Sequence, residues 1–233
     1  MEGPVLIGCA LDAGANLVDL FVDEDAASRP AVAEVVARAS TQIEPWLLPA
    51  GVLDHVGDAV TSQGVAAVVE MRDAPWPSPD STDFVLVLDD VADPGNAGTL
   101  LRAAVAAGAG SVVFASGVDF TSPKVVRSSA GALFNADVVS VTSGVQACDR
   151  LRAVGYTVVA TLVDQGDPYD SVDLTGPVAV VVGNEAHGLD PDVVDHVDVV
   201  VTIPMAGETE SLNVAMAGTV VAFEVLRQRR AGG

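Results

Sequence analysis

Six short segments constrain this chain more than anything else in it. FVLVL (84–88), SVVFA (111–115), DVVSV (137–141), YTVVA (156–160), VAVVV (178–182) and VVVTI (199–203) are almost continuously apolar and rich in valine. A strand with one wet face alternates apolar and polar residues, whereas a strand covered on both faces does not, and two-sided cover is typical of parallel sheets flanked by helices. Helical stretches such as GTLLRAAVAAG and VQACDRLRAVG separate the runs. Residues 84–233 therefore read as an α/β fold with a mainly parallel sheet. In such folds ligands collect beyond the carboxyl ends of the strands.

The stretch MRDAPWPSPDSTD (71–83) has three prolines and no apolar period, so it reads as an exposed linker. Ahead of it the pattern predicts a helix over 3–14, a strand at NLVDLFV, a helix over 30–39, a strand over 43–48 and a strand at GVAAVVEM. The expected division is a small α/β domain over 1–72, a linker over 73–83 and a larger domain over 84–233. With 233 residues, half of them apolar, the chain has enough material for a core plus a small domain.

Cys9 and Cys148 form no CxxC and cannot make a disulfide framework, and three scattered histidines give no zinc-ligand spacing. The reading is a reduced, metal-free, cytoplasmic protein. The apolar runs fall far short of the ~18 residues of a membrane span, and no secretory leader is visible. Against these ordinary features stands the charge: 32 acidic and 11 basic residues, net −21, with Lys124 the only lysine. Such a surface repels polyanions and argues against nonspecific nucleic-acid binding unless the basic residues gather locally. Arg102, Lys124, Arg127, Arg150 and Arg152 all fall in the central part of the chain.

Three predicted strands end in unusual sequence. FVLVL runs into DDVADPGNAGTLLR, where Pro94 and Gly95 turn the chain, Asn96 is placed to cap a helix, and Arg102 follows six residues later. By itself this is also what a capped helix with a surface arginine looks like. VAVVV runs into GNEAHGLDP, where Gly183 marks either a close backbone approach or a plain turn. VVVTI runs into PMAGETESLN, with Ser211 an expected N-cap for a helix over about 212–227. A fourth segment, SPKVVRSSAGALF (122–134), sets Lys124, Arg127, Ser128 and Ser129 before an AGALF helical stretch; it suits a phosphate or ribose contact, or is a solvated helix start. There is no GxGxxG after the first strand of the larger domain, no GxxxxGK[ST] and no GxSxG, so the usual dinucleotide, P-loop and nucleophile-elbow readings fail. His187 shares a loop with Glu185 and so can reach a site; His55 and His196 read as ordinary helix or loop residues.

Together the four segments resemble the SpoU (TrmH-like) branch of the SPOUT RNA methyltransferases. The resemblance rests on NxGxxxR (Asn96, Gly98, Arg102), GNExxGL (Gly183, Asn184, Glu185, Gly188, Leu189), IPMxGxxxSLNVAxA (Ile203 through Ala217) and KxxRSSAGALF, and it extends over nearly all of 84–228. The first part, including EGPVLIGCAL and SQGVAAVVE, is similar to the substrate-binding domain that precedes many members and is related to ribosomal-protein folds. The chain begins almost at EGPVLIGCAL, where members usually carry another short strand and helix, so that domain is expected to be trimmed.

The resemblance implies a C-terminal trefoil knot, against the general rule that chains avoid knots. It implies S-adenosyl-L-methionine held chiefly by backbone groups near Gly183, Ile203 and Leu212, with Thr161, Leu162 and Met205 beside them, and a homodimer acting on ribosomal or transfer RNA. By family analogy Arg102 is the main catalytic residue. Because arginine hardly ever deprotonates, its expected role is to polarise the ribose 2′-hydroxyl or hold the adjacent phosphate, with Asn96, Glu185, Ser211 and Asn213 orienting it and the ribose. Lys124, Arg127 and Ser128 are the expected RNA contacts. Two rivals share these motifs: an antibiotic-resistance ribosomal RNA methyltransferase, and a non-catalytic cofactor- or RNA-binding relative, for which the acidic surface is the best support.

Overall fold

The structure, a computed structural model, describes residues 1–56, 62–72, 74–79, 84–207 and 210–232. They form two compact units, Met1–Arg72 and Asp73–Gly233. The first contains α1 (Pro4–Asp12), β1 (Leu17–Asp23), α2 (Pro30–Ala39), β2 (Trp46–Leu48), a single helical turn α3 (Leu53–Val56) and β3 (Val65–Val69). Both longer helices open on proline, whose fixed φ suits the first turn and whose missing N–H costs nothing there. The sheet order is β2-β1-β3, with β2 parallel and β3 antiparallel to β1. Leu20, Val22, Val65 and Ala67 pack beneath Ile7 of α1 and Val32, Val35 and Ala39 of α2.

The second unit contains β4 (Phe84–Asp89), α4 (Pro94–Ala106), β5 (Ser111–Ala115), α5 (Pro123–Ser128), β6 (Asp137–Val141), α6 (Gly144–Ala153), β7 (Thr157–Thr161), β8 (Asp167–Pro168), β9 (Val178–Val182), α7 (Pro191–Val194), β10 (Val199–Thr202) and α8 (Val214–Gly232). Its seven strands run in the order β6-β5-β4-β9-β7-β10-β8, every neighbouring pair parallel. All residues of β4, β5 and β9 are buried, which is why their sequences do not alternate. Val85, Val87, Val113, Ala179 and Val181 face α6, with Ala147, Cys148 and Leu151, while α4 and α8 pack on one another and α8 on β9 from the other side. At about 1.5–3 kcal/mol for each fully buried aliphatic side chain, these two layers hold the sheet rigid and its strand ends in register.

The structure differs from the sequence-based reading in four places. The two-residue edge strand β8, where no element was expected, is too short to leave a hydrophobic signature. The segment predicted as a helix at AGALF is a 3-10 turn over Ala132–Asn135. The 71–83 stretch is not a free linker where it is described: Trp76 packs against the sheet core with the Arg150 guanidinium 3.7 Å from its ring centroid, and Pro77 is buried. An indole has too much apolar surface to remain in water beside an uncovered core edge. Residues 73 and 80–83 of the stretch lie outside the described residues. The fourth correction, to two helix starts, belongs to the site.

Candidate active site

Because all seven strands are parallel, their carboxyl ends share one edge, and the loops after β4, β9 and β10 meet there. Asn213 Nδ2 donates to Asn96 Oδ1 at 3.0 Å, and Asn96 Nδ2 donates to Glu185 Oε1 at 2.9 Å. One continuous hydrogen-bonded chain thus joins three loops that are far apart in sequence. Glu185 also accepts from the main-chain N–H of Ala92, at 3.0 Å to Oε2, and of Asp93, at 3.0 Å to Oε1.

The caps explain how each loop is fixed. Asp93, not Asn96, caps α4: its carboxylate accepts from Asn96 N at 2.9 Å, and Pro94 opens the helix. Asn96 lies inside the first turn, its side chain free to reach Glu185. Likewise Asn213, not Ser211, caps α8, its Oδ1 accepting from Ala215 N at 2.9 Å and Met216 N at 3.3 Å, so the helix starts at Val214. Glu208 and Thr209 of the same loop lie outside the described residues. After β9, Asn184 and Gly188 exchange both main-chain hydrogen bonds at 2.9 Å, and Asn184 Nδ2 donates to Asp90 O at 2.9 Å. The loop is closed on itself and stapled to the end of β4. Gly183 is where the Gly188 backbone crosses: a Cβ there would lie 2.4 Å from Gly188 C and O. The close-approach reading of Gly183 holds and the plain turn does not.

Burial pushes the Glu185 carboxyl up, but the hydrogen bonds from the Asn96 side chain and the Ala92 and Asp93 amides outweigh it and hold it below the usual range. Glu185 is therefore an ionised acceptor that already takes three hydrogen bonds. The Asp93 carboxyl is also lowered, chiefly by the Asn96 amide. The buried Asp89, at the end of β4, is less well supported: burial, then the charge of Asp90, outweighs the hydrogen bond from the Gly144 amide and pushes it up to about 6. Burial, with Asp89 beside it, also pushes the Cys148 thiol up to about 12, so it is no nucleophile near neutrality.

Beside the hydrogen-bonded chain lies a cavity of about 570 Å³, a size usual for small-molecule sites. Thr161, Leu162, Gly183, Ile203, Met205 and Leu212 all line it, as do Glu185 and Ser211. Its charged lining comprises Glu185, Asp195 and Glu210, with no lysine or arginine among the described residues. Thr161 Oγ1 is buried without a hydrogen-bond partner. An orphaned hydroxyl at a cavity wall marks a place for a polar ligand atom. Of the histidines, His187 lines the cavity, whereas His196 pairs with Asp149 at 2.6 Å and His55 with Gly51 O at 2.9 Å. Among the described residues no cluster of His, Cys, Asp and Glu could hold a metal ion, and no helix is long and apolar enough to cross a membrane.

The basic residues are placed differently. Arg102 is exposed on α4, does not line the cavity of its own chain, and makes no hydrogen bond or ion pair among the described residues. Lys124 pairs with Asp93 at 3.4 Å, and Arg127 is exposed on α5. Ser128 is spoken for: its hydroxyl reaches Pro94 O at 2.9 Å and Lys124 O at 2.8 Å, tying α5 to the start of α4. Gly98 allows that contact, since a Cβ there would fall 1.9 Å from Ser128 Oγ. Two residues that fix the loops were given no role from the sequence: Asn184, named there only within its motif, and Asp93, which had a readable signal, an Asp before a Pro at a helix start.

Fold and site together define an α/β protein whose parallel sheet carries, at its carboxyl edge, a cavity lined by the loops after β7, β9 and β10 and suited to a cationic ligand. The chain belongs to the SpoU rRNA Methylase family, whose model matches residues 83–223. It is 31% identical over 228 residues, 97% of this chain and 87% of the relative, to the 23S rRNA (guanosine(2553)-2'-O)-methyltransferase RlmP of Bacillus subtilis. It is 36% identical, over 93% of this chain and 95% of the relative, to the 23S rRNA (guanosine-2'-O-)-methyltransferase RlmB of Xanthomonas axonopodis pv. citri. The crystal structure of the SpoU methyltransferase AviRb from Streptomyces viridochromogenes in complex with AdoMet superposes with a TM-score of 0.84 at 31% identity, covering 100% of this chain and 90% of that one.

Proposed function

We propose that the protein transfers a methyl group from S-adenosylmethionine to a ribose 2′-hydroxyl of ribosomal RNA. The observation that carries this reading is the Asn213–Asn96–Glu185 chain beside a cavity whose lining, among the described residues, has carboxylates but no lysine or arginine. Such a lining disfavours a phosphate-bearing cofactor and favours a positively charged one. S-adenosylmethionine, when bound, supplies a methyl group on a positively charged sulfur. Thr161, Leu162, Gly183, Ile203, Met205 and Leu212 are the residues to hold it, with the orphaned Thr161 hydroxyl gaining a partner. Relatives named as acting on 23S rRNA guanosine support the RNA class, and such a reaction belongs to the cytoplasm, where ribosomes are built.

The chain's own groups then have separate tasks. Glu185 does not take the ribose proton, because its carboxylate already accepts from three donors. Its task is to fix Asn96, which in turn fixes Asn213 and leaves Ser211 at the cavity wall to meet the ribose. Arg102, permanently protonated, polarises the hydroxyl or holds the neighbouring phosphate. Lys124 and Arg127 take further phosphates, while Ser128 shapes the surface that presents them.

In this reading Arg102, which does not line the cavity of its own chain, serves that of a second subunit, and the working form is a homodimer. The exposed apolar residues Leu212, Met216 and Phe223 of the last loop and α8 favour it, Met216 being 59% exposed. In this reading the chain after β10 is threaded as a trefoil knot. What favours the knot is the placing of β10 between β7 and β8, and the grip of Gln228 on Val172 O and Leu174 N, which holds the segment before β9 against α8.

The test is labelled methyl transfer to ribosomal RNA with mapping of the modified nucleotide, alongside calorimetry with S-adenosylmethionine. Arg102→Ala is expected to lower transfer by about a hundredfold or more while leaving cofactor affinity within about twofold. Retained transfer would reject the role of Arg102, and absence of cofactor binding by the unmodified protein would reject the whole reading.

A further inference from the structure

The open face of the three-stranded sheet in Met1–Arg72 has a composition at odds with gripping RNA. Helices α1 and α2 cover the other face. On the open one, strand register sets Trp46, Phe21 and Ala66 in one row and Asp19 and Val68 in the next. Trp46 is 60% exposed and Val68 48%. The indole N–H of Trp46 donates to Asp19 Oδ1 at 3.2 Å, which orients the ring and holds it beside a carboxylate. Glu44, two residues before Trp46, and Glu70, two residues after Val68, are exposed, and Glu70 accepts from Asn16 Nδ2 at 2.8 Å.

Cations are missing from this face among the described residues. Residues 1–72 contain 11 Asp and Glu against 3 Arg and no Lys. Arg29 and Arg38 are ion-paired with Asp25 and Asp12, and Arg72 donates to the carbonyls of Ala13 and Gly14. A surface that binds RNA must replace the counterions of the phosphates, and none of these residues is placed to do so.

We propose that this face docks an arginine-bearing segment of a basic protein. A guanidinium stacks on an aromatic face and bonds to carboxylates in its own plane, so an oriented, exposed tryptophan held beside the Asp19 carboxylate offers both halves of its preferred setting. Phe21, Ala66 and Val68 receive the apolar stem and its neighbours. The excess of acid within residues 1–72, 11 Asp and Glu against 3 Arg, draws such a segment in from a distance and disfavours polyanions at this face. The inference goes beyond the methyltransferase reading and does not depend on it.

The test is calorimetric titration of the full chain at physiological salt with two synthetic peptides of equal length and charge, one alternating Arg and Leu and the other Lys and Leu. The arginine peptide is expected to bind about tenfold more tightly than the lysine peptide. Trp46→Ala, which leaves the net charge unchanged, should abolish that preference, and Asp19→Asn should weaken binding of the arginine peptide. Circular dichroism and a thermal melt like those of the unmodified protein would show that both variants are folded. Equal binding of the two peptides, or an unchanged preference in Trp46→Ala, overturns the proposal, because long-range attraction would then explain everything. Photo-crosslinking of a single-stranded RNA oligonucleotide to Trp46 would overturn it in favour of nucleobase stacking.

Discussion

Burial and hydrogen bonding pull the Glu185 carboxyl in opposite directions, and the donors prevail; at Asp89, on the neighbouring strand, burial prevails. The two acids therefore respond to pH in opposite ways. With its folded pKa raised to about 6, Asp89 makes the folded state hold more protons than the unfolded state between about pH 4 and 6. Its contribution to stability thus worsens as pH rises through that window and is least favourable above it. Asp89→Asn, which can still accept from the Gly144 amide, is expected to raise unfolding free energy by up to about 3 kcal/mol at pH 8 and by roughly half as much at pH 5. Urea denaturation at the two pH values checks this, and an equal gain at both would show that the effect is not one of ionisation. Glu185, held ionised by its donors, should introduce no inflection into the rate profile above pH 6.

At the scale of elements, capping decides the site. Asp93 and Asn213 each satisfy free amides at a helix start, and each places a neighbour or itself in the hydrogen-bonded chain. The sequence made strands and helices easy to place, because hydrophobic period is a local property, yet it misassigned both caps. Asp, Asn and Ser are near-equal as caps, so Asp93 against Asn96 and Ser211 against Asn213 could not be separated by propensity. What separates them is tertiary: Asn96 is claimed by Glu185, 89 residues away. Gly183 was legible as a special position, though the backbone that crosses it was not. Gly183→Ala must push the Gly188 strand of that loop aside, since its Cβ would meet backbone at 2.4 Å and no side chain can swing clear. The expected result is a loss of S-adenosylmethionine affinity of about tenfold or more with the global fold retained, the ordinary range for overpacking being about 1–3 kcal/mol. Calorimetry beside a thermal melt distinguishes that from general unfolding.

For the molecule as a whole, unbroken valine-rich runs announced a parallel sheet, but no local signal says that β9 inserts between β4 and β7, because that order is fixed by packing of α6 on one face and α4 and α8 on the other. The same limit applies to Arg102. Its motif ties it to Asn96, yet Asn96 faces Glu185 while Arg102, between one and two turns further along α4, points into solvent. If a dimer brings Arg102 of one subunit to the cavity of the other, complementation should reveal it. Arg102→Ala and Asn213→Ala would each be inactive as homodimers. In a mixed dimer, one site would then carry both defects and the other neither, so co-expression of the two variants under separate tags should restore methyl transfer to about half the unmodified level per mixed dimer, on the premise that each site works alone. If Arg102 serves its own chain, both sites of the mixed dimer are broken and no activity returns. Light scattering on the same preparations, together with Phe223→Arg as a variant that should yield monomers, ties the outcome to the α8 surface rather than to a contact elsewhere.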